Sequence, residues 1–419
     1  SLTNFLLSIQ KEPGLHAADT LLAVTPISFD IHTLELFLPL ISGATLLLAS
    51  SSQRTSGVEL ERLLTRHQVT VMQATPATWK ILMLQGWKPA NAFKALCGGE
   101  ALGESLKEEL LARENIELWN MYGPTETTVW SPVKRINESV VIGRPIDNTY
   151  FFVLDTNAKK VPIGVPGELY IGGEGLARGY LNRSEMTNEK FVRNPFAARE
   201  LLYKTGDLVR YRDTGDIDFI GRIDDQVKIR GYRIELGDVE AALCKLPGVV
   251  DAAAVVIGET TQKQLIAYLV KNEKAIEISA SQFEQELKAS LPHYMVPNAF
   301  IELSEIPLTP AGKVNRKLLT EMGKDNLIQD QCVEPRNALE QELCAIWIDL
   351  LELKQVGIHN NFFTLGGHSL LAVRFTNVVR KQLGVELPIA TLFEHPTIAE
   401  LAALIPEFQS VIHLADLPR

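Results

Sequence analysis

The chain lacks several things, and each lack narrows what it can be. No apolar run reaches the roughly 18 residues of a membrane-spanning helix, so no membrane partner is expected. Cysteine is sparse: Cys97, Cys244, Cys332 and Cys344 are the four in 419 residues, and no CxxC spacing marks a metal or dithiol site. They are expected to be buried thiols in a reducing, cytoplasmic setting. There is no basic stripe. The formal net charge is -10, which makes nucleic acid an unexpected partner, although a few local cations and backbone amides still suffice for a small anion. No internal repeat is visible. The opening Ser1-Leu2-Thr3-Asn4-Phe5-Leu6-Leu7 has neither a basic leader nor an initiator methionine. It is expected to be the interior of a longer protein rather than a signal peptide.

What is present is ordinary for globular protein: 46% hydrophobic and 22% charged residues. The length suits about two to four domains. Over 1–135, helical spacing (60–67, 106–113) alternates with short apolar runs (69–72, 95–97), an α/β pattern with a parallel sheet. Over 136–221, short β-rich runs are cut by Gly and Pro, which implies a β-rich subdomain. Residues 222–322 mix helices (238–246, 281–291) with strands (251–257, 264–270), a small α+β subdomain. The polar stretch 323–335 is the best linker. Residues 336–406 are all helical in pattern (339–351, 370–383 and a short helix over 398–405), as in a helix bundle, and 407–419 reads as an outgoing linker.

Chemistry concentrates in a few runs. Asn361-Phe362-Phe363-Thr364-Leu365-Gly366-Gly367-His368-Ser369-Leu370 puts Ser369 at the start of an amphipathic helix. A phosphodiester there sits beside free amides and the positive end of the helix dipole. A simple N-cap serine is the plain alternative. Asn120-Met121-Tyr122-Gly123-Pro124-Thr125-Glu126-Thr127-Thr128 follows a strand-like run. Strand ends facing a crevice are where α/β sheets bind ligands, and this one offers a ring, a hydroxyl and a hard carboxylate. Alone it reads as a Gly-Pro turn. Tyr203-Lys204-Thr205-Gly206-Asp207 puts an acid after a glycine turn. Two more runs follow: Gly221-Arg222-Ile223-Asp224-Asp225-Gln226-Val227-Lys228-Ile229-Arg230-Gly231-Tyr232-Arg233 and Pro310-Ala311-Gly312-Lys313-Val314-Asn315-Arg316. Individually these suit a solvated basic strand and a turn lysine. Phe29-Asp30, followed by Glu35, alone reads as a helix N-cap.

In this order the runs resemble the adenylate-forming superfamily, specifically the adenylation domains of nonribosomal peptide synthetases. Gly-Gly-His-Ser-Leu resembles the phosphopantetheine attachment site of peptidyl carrier proteins. The resemblance spans essentially the whole chain and includes 167–192. It implies ATP, Mg²⁺ and 4'-phosphopantetheine (on Ser369) as cofactors. It further implies that Tyr122 stacks on adenine, Asp207 holds the ribose, and Arg222 lies near ribose and phosphate. Gly99 and Glu100 join that nucleotide site. Thr125 serves phosphate and Glu126 the metal. Lys313 bridges substrate carboxylate and α-phosphate. Asp224 is the hinge that swaps Lys313 for the Lys228 face in the thioester half-reaction. The implied partners are an amino acid or other small carboxylic acid, a phosphopantetheinyl transferase and downstream synthetase domains.

Matched motif by motif, the substrate pocket comprises Asp30, Ile31, Leu34, Gln73, Leu96, Gly98, Met121, Val129 and Trp130. Asp30 would pair with an α-ammonium. Bulky Leu34, Met121 and Trp130 and the absence of other charge favour a neutral acid, with glycine first. Gly98 is read as leaving room along one wall, which keeps an aromatic acid open. Two departures stand out. Asn360 replaces an acid common in the carrier motif, and the Ser/Thr/Gly-rich phosphate loop would lie before Ser1. The expectation is therefore a fragment whose N-terminal segment is a further partner. The alternatives are an acid–thiol ligase for an aryl acid, or a carrier and docking piece with an incomplete adenylating half.

Overall fold

In the computed structural model, residues 1–415 are described except 55, 230, 259–262, 273–279, 310–312, 327–332, 352, 354, 363, 364, 366, 368, 389, 390, 393 and 394. The chain divides into two compact units, Ser1–Arg233 and Ile234–Arg419. The sequence placed a boundary at 221/222, which falls at the end of the strand Ile217–Arg222.

The first unit is built on a seven-stranded sheet: β1 (Thr20–Ala23), β2 (Thr45–Leu48), β3 (Val71–Ala74), β4 (Phe93–Gly98), β5 (Ile116–Met121), β6 (Pro132–Arg135) and β7 (Arg144–Pro145), in the order β2-β1-β3-β4-β5-β6-β7. Pairing is parallel from β2 through β5 and antiparallel at β6 and β7. Strands β3 and β4 are buried along almost their whole length rather than on alternate residues, and are apolar except at Gln73 and Lys94. Helices Gly57–Arg66, Pro76–Leu84 and Glu104–Leu111 cover one side through a core of Leu60, Trp79, Leu82, Phe93 and Leu106. The order reverses between β1 and β3, so strand ends there open a crevice suited to a ligand.

A second sheet is antiparallel: β8 (Thr149–Leu154), β9 (Gly167–Gly173), β10 (Phe191–Arg193), β11 (Leu201–Tyr211) and β12 (Ile217–Arg222). It is the expected β-rich subdomain. Its register sets Asp207 on β11 directly opposite Arg222 on β12.

The second unit contains the three-stranded sheet Val249–Ile257, Gln264–Lys271 and Ala299–Glu302 with helices Leu236–Leu243, Ala280–Ser290 and Arg316–Asn326. It also contains helices Ala338–Leu351, Ser369–Leu383 and Ile398–Ala415 around a separate core of Trp347, Phe362, Phe375 and Leu401. Thr397 and Glu400 cap the last of these reciprocally, each side chain accepting the other's backbone N–H.

Three expectations are corrected. The last helix does not stop at 405 but runs through Pro406 to Ala415, so most of the outgoing linker 407–419 is helical. The linker 323–335 begins inside the helix Arg316–Asn326, and its residues 327–332 lie outside the described residues. Cys97 and Cys344 are buried as expected but Cys244 is exposed at a helix end, and Cys332 lies outside the described residues.

Candidate active site

The crevice lies within the first unit. Phe29, Asp30, Ile31, Gly99, Tyr122, Thr125, Val129, Trp130, Asp207, Arg222, Lys228 and Arg233 border one cavity. The sequence had placed Gly99, Tyr122, Thr125, Asp207 and Arg222 in a nucleotide site and Asp30, Ile31, Val129 and Trp130 in an acid pocket. The fold brings the two sets together because β4 and β5 end side by side, with Gly98 opposite Met121.

Backbone geometry shapes the loop after β5. Thr125–Thr127 forms one turn of 3₁₀ helix, and Thr128 and Val129 then take positive φ of 66° and 65°. Two successive β-branched residues in the left-handed region are strained, which is tolerated where surrounding contacts impose it. Gly123 permits the return of the chain: a Cβ there would lie 2.3 Å from the Val129 carbonyl oxygen. Trp130 is thereby turned inward.

The polar groups form three linked sets. In the first, the Tyr122 hydroxyl donates to Asp207 Oδ2, and Arg222 donates to Asp207 Oδ1 at 2.8 Å and to both oxygens of Asp224 at 2.7 and 2.6 Å. Burial pushes the Tyr122 phenol well above its ordinary range, and the adjacent Asp207 carboxylate adds to this. Burial raises Asp224, yet the Arg222 hydrogen bonds and charge outweigh it and hold the carboxyl low.

In the second set, Thr125 Oγ1 donates to Asp30 Oδ2 at 2.5 Å. The helix His32–Ser42 has Ile31 at its N-cap and no side-chain cap, so Asp30 is not the capping aspartate that its spacing allowed.

In the third, Arg233 reaches both oxygens of buried Glu126, at 2.9 and 3.0 Å, and the Tyr180 hydroxyl donates to Oε1 at 2.5 Å. Burial opposes ionisation of Glu126, but the Arg233 charge and these hydrogen bonds hold its pKa down. The Gly231 N–H donates to Glu100 Oε1, so the 226–233 segment is anchored in the crevice. Lys228 borders the cavity, and burial depresses its pKa.

The remaining pocket residues stand behind this wall. Leu34, Leu96 and Met121 are buried together with Ile31, Val129 and Trp130. Buried Gln73 accepts from the Trp130 indole N–H at 2.8 Å and donates to the Ile31 carbonyl at 2.8 Å. Gly98 does not leave a free wall. A Cβ there would lie 2.6 Å from both Trp130 Cη2 and the Met121 carbonyl oxygen, so the indole and the β5 backbone already fill that space.

In the second unit, Lys313 follows a turn closed by Thr309 N–H to Lys313 O at 2.7 Å and by the bridge Leu308↔Val314, while 310–312 lie outside the described residues. Ser369 is the first residue of its helix. Gly367 packs against Phe362, where a Cβ would meet the ring at 2.2 Å. Gly366 and His368 lie outside the described residues.

Reading by motif did not assign Tyr180, Arg233 or Glu35. Arg233 and Glu35 stand inside quoted runs, and an arginine two residues past Gly231 was the available signal. Tyr180 stands inside the matching run 167–192, but its role depends on a fold that brings it 54 positions back to Glu126.

Comparison with known proteins fits this geometry. The family model for AMP-binding enzymes matches residues 1–181, that for the AMP-binding enzyme C-terminal domain matches 238–313, and that for the phosphopantetheine attachment site matches 341–405. A dimodular nonribosomal peptide synthase of Bacillus subtilis (strain 168) is 44% identical over 416 residues, which is 98% of this chain and 17% of the relative. Tyrocidine synthase 3 of Brevibacillus parabrevis is 40% identical over 415 residues, 97% of this chain and 6% of the relative. The chain belongs to the nonribosomal peptide synthetase family. It combines an adenylate-forming core with a carrier domain, and its family uses ATP, Mg²⁺ and 4'-phosphopantetheine.

The chain spans only a small part of these curated synthetases. Among solved structures it is similar to a four-domain nonribosomal peptide synthetase bound to AMP and glycine, at 41% identity and a TM-score of 0.52, covering 97% of this chain and 31% of that one. It is also similar to a synthetase protein containing adenylation and PCP domains, bound to a vinylsulfonamide inhibitor. That match has 27% identity and a TM-score of 0.76, covering 94% of this chain and 66% of that one.

Proposed function

We propose that the parent protein activates an amino acid as its aminoacyl adenylate and loads it onto the phosphopantetheine of its own carrier domain at Ser369. The observation that carries this reading is the single crevice shared by Tyr122 and Asp207, which suit a nucleoside, and by Asp30, which suits an α-ammonium. Asp30 is half-buried and accepts a neutral donor, the Thr125 hydroxyl, so a cationic group of the substrate can still add charge pairing there.

The roles follow from chemistry. The Tyr122 ring stacks on the base, and Asp207 accepts from the ribose hydroxyls as Arg222 turns toward ribose and phosphate. Gly99 and Glu100 border the base, and the Thr125 hydroxyl donates to phosphate oxygen. Glu126 is a hard carboxylate that Arg233 holds ionised, and it would hold Mg²⁺ once Arg233, which takes both its oxygens, yields one of them. When bound, the metal supplies charge that offsets repulsion among phosphate oxygens.

The substrate carboxylate attacks the α-phosphorus, the bond to pyrophosphate breaks, and a mixed anhydride forms. Lys313 lessens repulsion between the two anions and favours the crowded phosphorus of the transition state. When bound at Ser369, phosphopantetheine would supply a thiol that accepts the acyl group, with AMP as the leaving group. Lys228 serves that half-reaction, with Asp224 as the hinge between the two. The core boundaries 1–221 and 222–322, the carrier at 336–406 and a cytoplasmic location belong to the same proposal. So do the N-terminal segment, a phosphopantetheinyl transferase and downstream synthetase domains as partners.

Glycine is the proposed substrate. Trp130 and Met121 close the space beside Gly98, and the similar four-domain synthetase was solved with AMP and glycine. Amino-acid-dependent exchange of labelled pyrophosphate into ATP by the complete adenylation domain tests this. Exchange with glycine above all other amino acids is expected. Exchange with aryl acids alone would overturn the assignment of Asp30.

A further inference from the structure

Behind the pocket lies a chain of buried hydrogen bonds with a defined direction. Glu35 is fully buried. Its Oε2 accepts the backbone N–H groups of Val24 and Thr25, both at 2.9 Å. Its Oε1 accepts the Thr25 hydroxyl at 2.5 Å and Gln73 Nε2 at 3.0 Å. Three of these four donors (the two backbone N–H groups and the amide NH₂) cannot accept. The amide of Gln73 is thereby oriented: its NH₂ faces Glu35 and the Ile31 carbonyl, and its oxygen faces Trp130 Nε1. Trp130, in turn, is the side chain that fills the space beside Gly98.

We infer that Glu35 is a positioning residue which, through Gln73, fixes the indole of Trp130 and so sets the depth of the acid pocket. This rests on the crevice being the amino-acid site. Glu35 touches no substrate in this scheme. It acts because a buried polar group left facing a like group is costly, so each member dictates the orientation of the next.

The substitution Glu35→Gln probes the direction of the chain. The new amide cannot turn its NH₂ toward Val24 and Thr25, where two N–H groups already point. It therefore faces Gln73 with NH₂, and Gln73 must either leave its place or reverse, which costs its bond to the Ile31 carbonyl and turns its NH₂ to the Trp130 indole N–H. Trp130 must shift. Trp130→Phe removes that N–H, so a reversed or displaced Gln73 no longer pushes on the ring at 130 through a clash of two donors.

The test is a double-mutant cycle in the complete adenylation–carrier protein. The readout is kcat/KM for the smallest accepted amino acid against its homologue one methylene longer. E35Q is expected to lower this ratio on the order of tenfold, mainly by raising KM for the smaller acid, since one methylene in an apolar pocket is worth roughly that much. E35Q/W130F is expected to discriminate no worse than W130F alone. A folded E35Q with unchanged discrimination, or a loss that adds fully to that of W130F, overturns the inference.

If E35Q does not fold, Gln73→Met breaks the link while leaving Glu35 its other three donors. It must then lose discrimination to the extent that W130F does, and retained discrimination overturns the inference. A wild-type protein that activates no amino acid sinks the underlying assignment instead, so the two failures are distinguishable.

Discussion

Replacing Ser369 with alanine is expected to abolish the gain of phosphopantetheine and, with it, all acyl loading of the carrier. Pyrophosphate exchange should stay within about twofold of wild type. The reason is covalent: the hydroxyl is the proposed attachment point, and no other group at the first turn of Ser369–Leu383 offers the same bond. The fold should tolerate the change, because the carrier's core is the apolar set around Trp347, Phe362 and Phe375. Alanine is also a good helix former, so the helix itself is preserved. Mass spectrometry after treatment with a phosphopantetheinyl transferase and coenzyme A reads the result. An adduct that persists in the alanine variant would place the attachment elsewhere.

The second large effect is expected from Lys313→Ala. Its loss removes a cation from between two anions at the moment charge crowds on phosphorus. Removing one such electrostatic group costs about 10²–10³ in rate, or roughly 3–4 kcal/mol. The expected signature is selective. Pyrophosphate exchange falls by that factor, while transfer from a chemically prepared aminoacyl adenylate to the carrier thiol is largely kept. Lys228→Ala is the natural contrast, with transfer impaired more than exchange. Equal losses in both half-reactions for Lys313→Ala would contradict the division of labour between the two lysines.

The sequence made the fold class and the clustering of the site legible for specific reasons. Short, mostly apolar runs between helical segments announced β3 and β4, because strands buried on both faces carry few polar residues. The helices 60–67 and 106–113 were placed to within a few residues of Gly57–Arg66 and Glu104–Leu111. The four-residue strands Thr20–Ala23 and Thr45–Leu48 carry apolar runs as well, but runs this short do not separate strand from buried helix. The family resemblance put Tyr122, Asp207 and Arg222 on one list. The antiparallel register of β11 and β12, which places Asp207 opposite Arg222, needed the fold.

The same limit explains Gly98. Lack of a side chain signals space in a sequence, but the Trp130 ring already occupies that space, and only three-dimensional packing reveals it. Glu126 was read as a carboxylate for a metal, whereas its partners Arg233 and Tyr180 approach from distant positions along the chain. The Asp30 carboxylate could cap a helix by spacing alone, and the direction of its side chain toward Thr125 decides against that.

The most direct test of the central claim is the intact mass of the complete adenylation–carrier protein. The protein is treated first with a phosphopantetheinyl transferase and coenzyme A, then with ATP, Mg²⁺ and a mixture of amino acids. The account predicts a phosphopantetheine adduct on Ser369 followed by one further acyl increment, that of glycine. A phosphopantetheine adduct with no acyl increment under any amino acid would contradict it.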